Sequence, residues 1–400
     1  MIQPFTINID KPVIDDLQKR IGEARWPNEI ENADWKLGTN ETYLQKLCTY
    51  WQHDFNWRKE QGYLNSFLHY KTMIDNTGIH FIHQKGKGRV SIPLLLTHGY
   101  PDSFSRFLKV IPLLTKADEN DFSFDVVIPS IPGFGFSDIP TEAGMNTKRI
   151  AGLFTKLMTD ELGYKKFVAH GGDWGSGITE QIALYHSDVL LAIHITDVPF
   201  QHALKKYDDA TNTEKKYLDK VSRWQQTEGA YALIQSTRPQ TLAYGLNDSP
   251  VGLAAWIIEK FNAWSDSDGD IESCFTKDEL LTNITIYWAT QTINSSFRIY
   301  YETIKTIMNA MYNPLVKLNP FDKTGDKSVV PAAFAIFPKD ISHPPREFAE
   351  RFFNVQRWAE MPKGGHFAAM EQPGSLADDI REFAIQLNIA NEPVVHMSQH

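Results

Sequence analysis

The chain has 400 residues, 42% of them hydrophobic, enough to bury one large core or a core with an inserted subdomain. A net charge of −9 with no basic patch argues against nucleic acid as a partner. The start Met1-Ile2-Gln3-Pro4-Phe5 has no apolar signal core, no run reaches membrane-spanning length, and Cys48 and Cys274 fit no metal or redox spacing. A soluble, cytoplasmic protein without membrane anchor or disulfide framework is therefore expected.

Residues 1–78 read as helical. Ile14, Leu17 and Ile21 share one helical face, as do Leu44, Leu47, Cys48 and Trp51, with Trp26-Pro27 and a Gly-containing turn between them. No polar constellation there suggests chemistry, and such stripes more often mean packing than a cofactor box. A helical meander covering another domain is expected.

Over residues 79–197 short apolar runs alternate with helical periods. The runs are Ile79 to Ile82, Leu94 to Leu96, Val126 to Ile128, Phe167 to Ala169 and Leu190 to Ile195. Ile150, Leu153, Phe154, Leu157 and Met158 form one helical stripe between them, with Asn146 or Thr147 as N-cap. This alternation is how a buried parallel sheet reads, and catalytic residues in such folds sit beyond the carboxyl ends of the strands. His98-Gly99-Tyr100-Pro101 ends the second run. A backbone N–H of that turn could serve an oxyanion hole, or the turn could be an ordinary one with His98 buried and hydrogen-bonded. Gly133-Phe134-Gly135 lacks the third glycine of a dinucleotide fingerprint, so no cofactor is expected there.

The fourth run leads into Gly171-Gly172-Asp173-Trp174-Gly175, a nucleophile-elbow pattern with aspartate where a hydrolase carries serine. A helix is expected from about Ser176. A carboxylate held on such a turn attacks a saturated, electrophilic carbon without needing a base, and the resulting ester must then be hydrolysed. The same residues also fit a simple helix N-cap.

Residues 198–318 interrupt the alternation with aromatic-rich helices; Asn247-Asp248-Ser249-Pro250 supplies a turn, and Trp264 to Asp270 a polar loop. Alternation resumes over 319–400, with a run from Val330 to Phe337, a helix from about Pro345, a run near Val355 to Trp358, and a closing helix carrying Leu376, Ile380, Phe383 and Ala384. An α/β domain interrupted by a helical lid is the expected architecture. Asp340 follows the first of these runs and His366, in Lys363-Gly364-Gly365-His366-Phe367, follows the second. Each has a bland reading, an Asx-turn or cap for Asp340 and a structural loop histidine for His366. Together with Asp173 they complete the chain order nucleophile, acid, base at three strand ends.

Set side by side, these segments resemble the microsomal-type epoxide hydrolases of the α/β-hydrolase superfamily over nearly the whole chain. His98-Gly99-Tyr100-Pro101 resembles a family element that carries Trp where Tyr100 stands, and Pro129 to Ser137, Gly172 to Gly175, Leu246 to Leu253 and Gly364 to Ala369 resemble further family segments. Arg25-Trp26-Pro27 and Phe55-Asn56-Trp57-Arg58 are similar to the subgroup's N-terminal extension.

The resemblance implies an α/β-hydrolase fold, a mostly parallel sheet with a helical lid and an N-terminal helical extension. It implies Asp173 as nucleophile, His366 as the base activating water, and Asp340, where some members carry Glu, as its orienting acid. Tyr231 and Tyr300 match the two lid tyrosines, and the backbone N–H groups of Tyr100 and Trp174 the oxyanion hole. A neutral phenol can stabilise the alkoxide that departs from an opening epoxide, and a neutral His366 would deprotonate the water. The implied partners are a small-molecule epoxide and water, with no metal and no organic cofactor; a homo-oligomer is left open. The nearest alternative is a haloalkane or haloacid dehalogenase, which shares the Asp–His–acid engine but cradles a halide with indole N–H groups, a role Trp174 would also suit. The alternative from another class is a non-catalytic binding protein on a hydrolase fold. A serine esterase is disfavoured because no Gly-x-Ser-x-Gly occurs.

Overall fold

A computed structural model describes residues 1–312 and 326–389. The boundary expected at 318/319, and the residues after 389, lie outside the described residues. Nine strands form one sheet: β1 (Gln3–Phe5), β2 (His69–Ile74), β3 (Thr77–Gln84), β4 (Val90–Thr97), β5 (Phe122–Pro129), β6 (Phe167–Gly171), β7 (Leu190–Ile195), β8 (Pro331–Ile336) and β9 (Asn354–Glu360). Their order is β1-β2-β3-β5-β4-β6-β7-β8-β9. The first three pairings are antiparallel and every pairing from β5 to β9 is parallel. All eight residues of β5 are buried, which explains why the central strands read as continuous apolar runs and not as alternating ones.

The stretch read as a helical extension also contributes to the sheet. Its helices Lys11–Gly22 and Glu41–His53 carry the expected stripes, with Leu17 and Ile21 buried and Ile14 half-buried in one, and Leu44, Leu47, Cys48 and Trp51 buried in the other. Asn40 caps the second helix by accepting the Tyr43 N–H. However, β1 and β2 form an antiparallel edge from within residues 1–78, and the expected boundary at 78/79 falls inside β3. The helices dock on the lid: the Trp51 indole donates to Thr285 Oγ1 at 3.1 Å, and the Tyr50 hydroxyl to Asp278 Oδ1 at 2.9 Å.

Asn146 caps the helix Thr147–Lys156, which widens to a π-turn over Leu157–Glu161, so the stripe from Ile150 to Met158 spans two kinds of helix. Between β7 and β8 the chain leaves the sheet, and the described residues there form six α-helices: Asn212–Thr227, Ala230–Thr237, Pro239–Asp248, Pro250–Trp264, Lys277–Thr290 and Ile293–Tyr312. Thr211 and Thr276 each form a reciprocal capping box with the glutamate three residues on, Glu214 and Glu279. Thus local signals mark where these two helices begin. Strand β4 lies between β5 and β6, so the loops leaving β4 and β6 diverge at a switch in strand order. That crevice is where open α/β sheets bind ligands.

Candidate active site

Asp173 stands between β6 and the helix Trp174–Tyr185, which begins two residues earlier than expected. Its φ of 56° lies in the left-handed region, a strained conformation for a residue with a Cβ. The glycines around it are there for close approach. A Cβ on Gly175 would sit 2.1 Å from the Thr97 carbonyl oxygen, and one on Gly99 would sit 2.5 Å from the Asp173 side chain. The elbow is held from below by Asp197, two residues past β7. One Asp197 oxygen accepts the Asp173 N–H at 3.0 Å, and the other accepts the Ser176 hydroxyl at 2.9 Å.

The Asp173 carboxylate is oriented by two different partners. Oδ1 accepts the Tyr100 N–H at 2.9 Å, while Oδ2 lies 3.6 Å from His366 Nε2. The other ring nitrogen, Nδ1, is 2.7 Å from Asp340 Oδ1. The loop after β8 and the loop after β9 are joined backbone to backbone, with Lys339 N–H donating to the Gly364 carbonyl at 3.0 Å. Glu371 fixes the histidine loop on both sides, accepting from Gly365 N–H and Phe367 N–H at 2.9 Å each. The same carboxylate accepts from Asp266 N–H at 2.8 Å, and His366 N–H donates to the Trp264 carbonyl at 2.8 Å, so the lid's polar loop is tied to this point. Arg106, buried and ion-paired with Asp102 at 2.7 Å, donates to the His366 carbonyl.

Tyr231, one residue into the helix Ala230–Thr237, and Tyr300, in the helix Ile293–Tyr312, bring their rings to a centroid separation of 6.0 Å at 79°. Both rings, with Asp173, Asp197, Asp340 and His366, line one cavity of about 540 Å³. Val198, Phe200, Leu204 and Trp224 give it apolar walls. The Tyr300 hydroxyl is buried without a well-formed hydrogen bond. Trp174 lies directly after Asp173, its ring edge-on to Tyr300 at 4.6 Å and 89°. His98 takes its bland role: fully buried, it accepts the Ile131 N–H at Nε2 (3.1 Å) and faces the Gly99 carbonyl with Nδ1. The expected residues therefore converge on one place, apart from His98.

The neutral His366 expected for the ester-hydrolysis step is not the form favoured in the free site. Burial does work against its charged form, but Asp340 and then Asp173 outweigh burial and raise it to about 10. In the free site the imidazole thus holds a proton between two carboxylates. Burial pushes both phenols well above their ordinary value, reinforced by Asp173 at Tyr231 and by Tyr231 and Asp173 at Tyr300, so both are neutral donors at neutral pH. Asp197, which the sequence reading passed over, is raised to about 7 by burial and by Asp340 and Asp173, with His366 opposing. The signal that found Asp340 would have found it, since it too is an acidic residue just past the end of an apolar run.

Comparison with known proteins identifies the family and the fold. Residues 2–107 match the family described as epoxide hydrolase N terminus, and residues 92–208 the family described as alpha/beta hydrolase fold. The chain is 37% identical over 416 residues to epoxide hydrolase 1 of Sus scrofa, covering 96% of this chain and 88% of that protein. It is 35% identical over 405 residues to juvenile hormone epoxide hydrolase 2 of Ctenocephalides felis, covering 95% and 84%. Its structure is similar to that of juvenile hormone epoxide hydrolase from the silkworm Bombyx mori, with a TM-score of 0.83, 28% identity and coverage of 98% and 95%. It is also similar to Aspergillus niger epoxide hydrolase, with a TM-score of 0.81, 26% identity and coverage of 97% of each chain. Among the described residues no helix is long and apolar enough to cross a membrane.

Proposed function

The chain belongs to the microsomal-type epoxide hydrolase family, and from that premise we propose how it opens an apolar epoxide to a vicinal diol. Asp173 Oδ2 attacks an epoxide carbon. As that bond forms, the carbon–oxygen bond breaks, and the departing oxygen takes a proton from a phenol of the pair Tyr231 and Tyr300. The product of this step is an ester on Asp173 beside a phenolate. Water then adds to the ester carbon while His366 Nε2 takes its proton. The tetrahedral intermediate collapses: the departing diol oxygen takes the proton that His366 received, the water's second proton passes from the Asp173 carboxyl to the phenolate, and His366 regains from solvent the proton it released once Asp173 was esterified. Protons and oxygen balance with water as the only other reactant.

The observation that carries this reading is the unequal treatment of the two Asp173 oxygens. Oδ1 already rests on the Tyr100 N–H, where the ester's carbonyl oxygen would lie and become an oxyanion in the second step. The Trp174 N–H is its proposed second donor. Oδ2 faces His366 and is the oxygen free to attack. The charge on His366 fits the same sequence of events. Esterification neutralises Asp173 and so removes one of the two anions that hold the proton, after which the imidazole can act as a base on water. Asp340 keeps it oriented through Nδ1. We also read residues 198–318 as the lid that brings the phenols, and the free Cys48 and Cys274 as suited to the cytoplasm.

The test is intact-mass spectrometry of His366→Gln incubated with styrene oxide. A stable adduct one epoxide heavier, lost in His366→Gln combined with Asp173→Ala, is expected. Binding without any adduct would sink the covalent scheme.

A further inference from the structure

The two phenols have different things against their rings. Tyr300 receives the edge of Trp174. Tyr231 carries a cation on its face: Lys260 Nζ lies 4.8 Å from its ring centroid, and 5.6 Å from that of Trp264. Lys260 is only 7% exposed, near the end of the helix Pro250–Trp264, and a lysine so deeply placed needs a reason. Its ammonium pairs with the adjacent Glu259, whose side chain is 22% exposed and so keeps part of its interaction with water. Nothing in the two-step scheme above uses it.

Around Tyr231 the Tyr300 hydroxyl favours negative charge on its oxygen, without carrying a charge of its own, and the remaining groups oppose it. Asp173, Tyr100 and Glu259 all do so, and Tyr100 stacks parallel to it at 6.3 Å and 8°. Trp264, 5.2 Å away, is an uncharged wall between Tyr231 and His366. Lys260 is thus the cation that meets this ring. A cation over a phenol ring attracts the neutral quadrupole modestly and the phenolate far more strongly, and burial removes the water that would screen it.

We propose that Lys260 is a positioning residue that makes Tyr231, and not Tyr300, the phenol that yields its proton as the epoxide opens. This rests on the proposed role of the phenols as donors. As Asp173 Oδ2 bonds to carbon, the electron pair of the breaking carbon–oxygen bond goes to that oxygen, which takes the Tyr231 proton. The phenolate left behind sits under the Lys260 ammonium until a proton of the hydrolytic water replaces the lost one. Tyr300, which has no such cation against its ring among the described residues, orients the oxygen.

Single-turnover alkylation by styrene oxide, read by rapid-quench intact mass, separates this from a packing role. Lys260→Met should slow alkylation about tenfold while leaving hydrolysis of the formed ester unchanged, and Lys260→Arg should restore most of the loss. In a Tyr231→Phe background Lys260→Met should change alkylation by less than about twofold, whereas in Tyr300→Phe it should keep its full effect. Equal losses in both backgrounds, or no loss in the otherwise native protein, overturn the proposal. Glu259→Gln carries the same test should Lys260→Met not fold. Freeing the ammonium from its partner should speed alkylation about two- to threefold, but only while Tyr231 is present. An unchanged or slower rate overturns it. If the native protein forms no adduct at all, the covalent scheme itself fails. An adduct whose rate ignores Lys260 removes this assignment alone.

Discussion

The strand-end loops and the lid hold their parts of the site by different means. Asp173, Asp340 and His366 are fixed by hydrogen bonds, many of them to backbone. Asp197 holds the elbow, Lys339 joins the acid and base loops, and Glu371 grips N–H groups on both sides of His366. Tyr231 and Tyr300 are held by rings: Tyr100, Trp174, Trp264 and each other, with the Tyr300 hydroxyl left free of a well-formed bond. The division follows the chemistry proposed for each. A nucleophile and a base must be aimed within tenths of an ångström, and directional bonds do that. A donor that receives a departing oxygen must keep its proton free for it, so packing holds the ring and leaves the hydroxyl for the substrate.

If the strand-end half makes and breaks the covalent bond, its loss is the largest effect available. Asp173→Ala should lower kcat with styrene oxide by about four orders of magnitude or more, with the fold intact by circular dichroism. Residual turnover within tenfold of native would show that the carboxylate is not the nucleophile. Asp340→Asn should come next, slowing ester hydrolysis by about 10²- to 10⁴-fold while alkylation stays within a few fold, so a burst of adduct precedes slow turnover. It should also move a titration. Asp340 is the largest group raising His366, so its neutralisation brings the pH at which His366 loses its proton down from about 10. The sign carries through to stability. A folded-state value above the ordinary ~6.5 means a contribution fully present below ~6.5 and lost as pH rises through about 10, and Asp340→Asn should shrink that pH-dependent part of the melting temperature. An unaltered pH profile in this variant would detach Asp340 from the imidazole.

The lid half should show the opposite kinetic signature. Tyr231→Phe and Tyr300→Phe are each expected to slow alkylation about 10- to 100-fold and to leave hydrolysis of the ester nearly untouched, with the double variant slower than either. Hydrolysis falling in step with alkylation would erase the division between the halves. Unchanged alkylation in all three variants would mean that the oxygen is held otherwise.

The same two halves differ in how far they could be read from sequence. Short apolar runs mark strand ends, and strand ends are where Asp173, Asp340 and His366 stand, so their order was visible without coordinates. Asp197 is just as legible, an acidic residue two positions past a strand end, but the chain order nucleophile, acid, base points to an acid after the inserted helices. Tyr231 and Tyr300 were found through family resemblance alone. Periodicity marks which helix residues are buried but does not separate a buried ring that packs from one that lines a cavity, and the inserted helices supply many buried aromatic residues. Strands β1 and β2 escaped for another reason. One is three residues long, and the other has only one face covered, with Lys71 and Met73 pointing away from the core. The charge on His366 and the contact of Lys260 with Tyr231 depend on neighbours far away in the chain, which no local window contains.

The smallest effect tests whether the two halves are mechanically one. Glu371 is the point at which they meet, since one carboxylate accepts from Gly365 and Phe367 in the histidine loop and from Asp266 in the lid. Glu371→Gln keeps the shape but turns one acceptor into a donor facing N–H groups, so at least one of the three bonds is lost and its partner left unsatisfied. That should cost about 1–3 kcal/mol of stability, measured as a lowered urea midpoint. If the histidine loop alone depends on this carboxylate, hydrolysis of the ester should slow by a few fold with alkylation unchanged. If the lid depends on it as well, alkylation should slow by a similar factor, because Trp264 packs on Tyr231 and its carbonyl accepts from His366 N–H. The structure favours the second outcome, and a hydrolysis defect alone would show the halves to be independent.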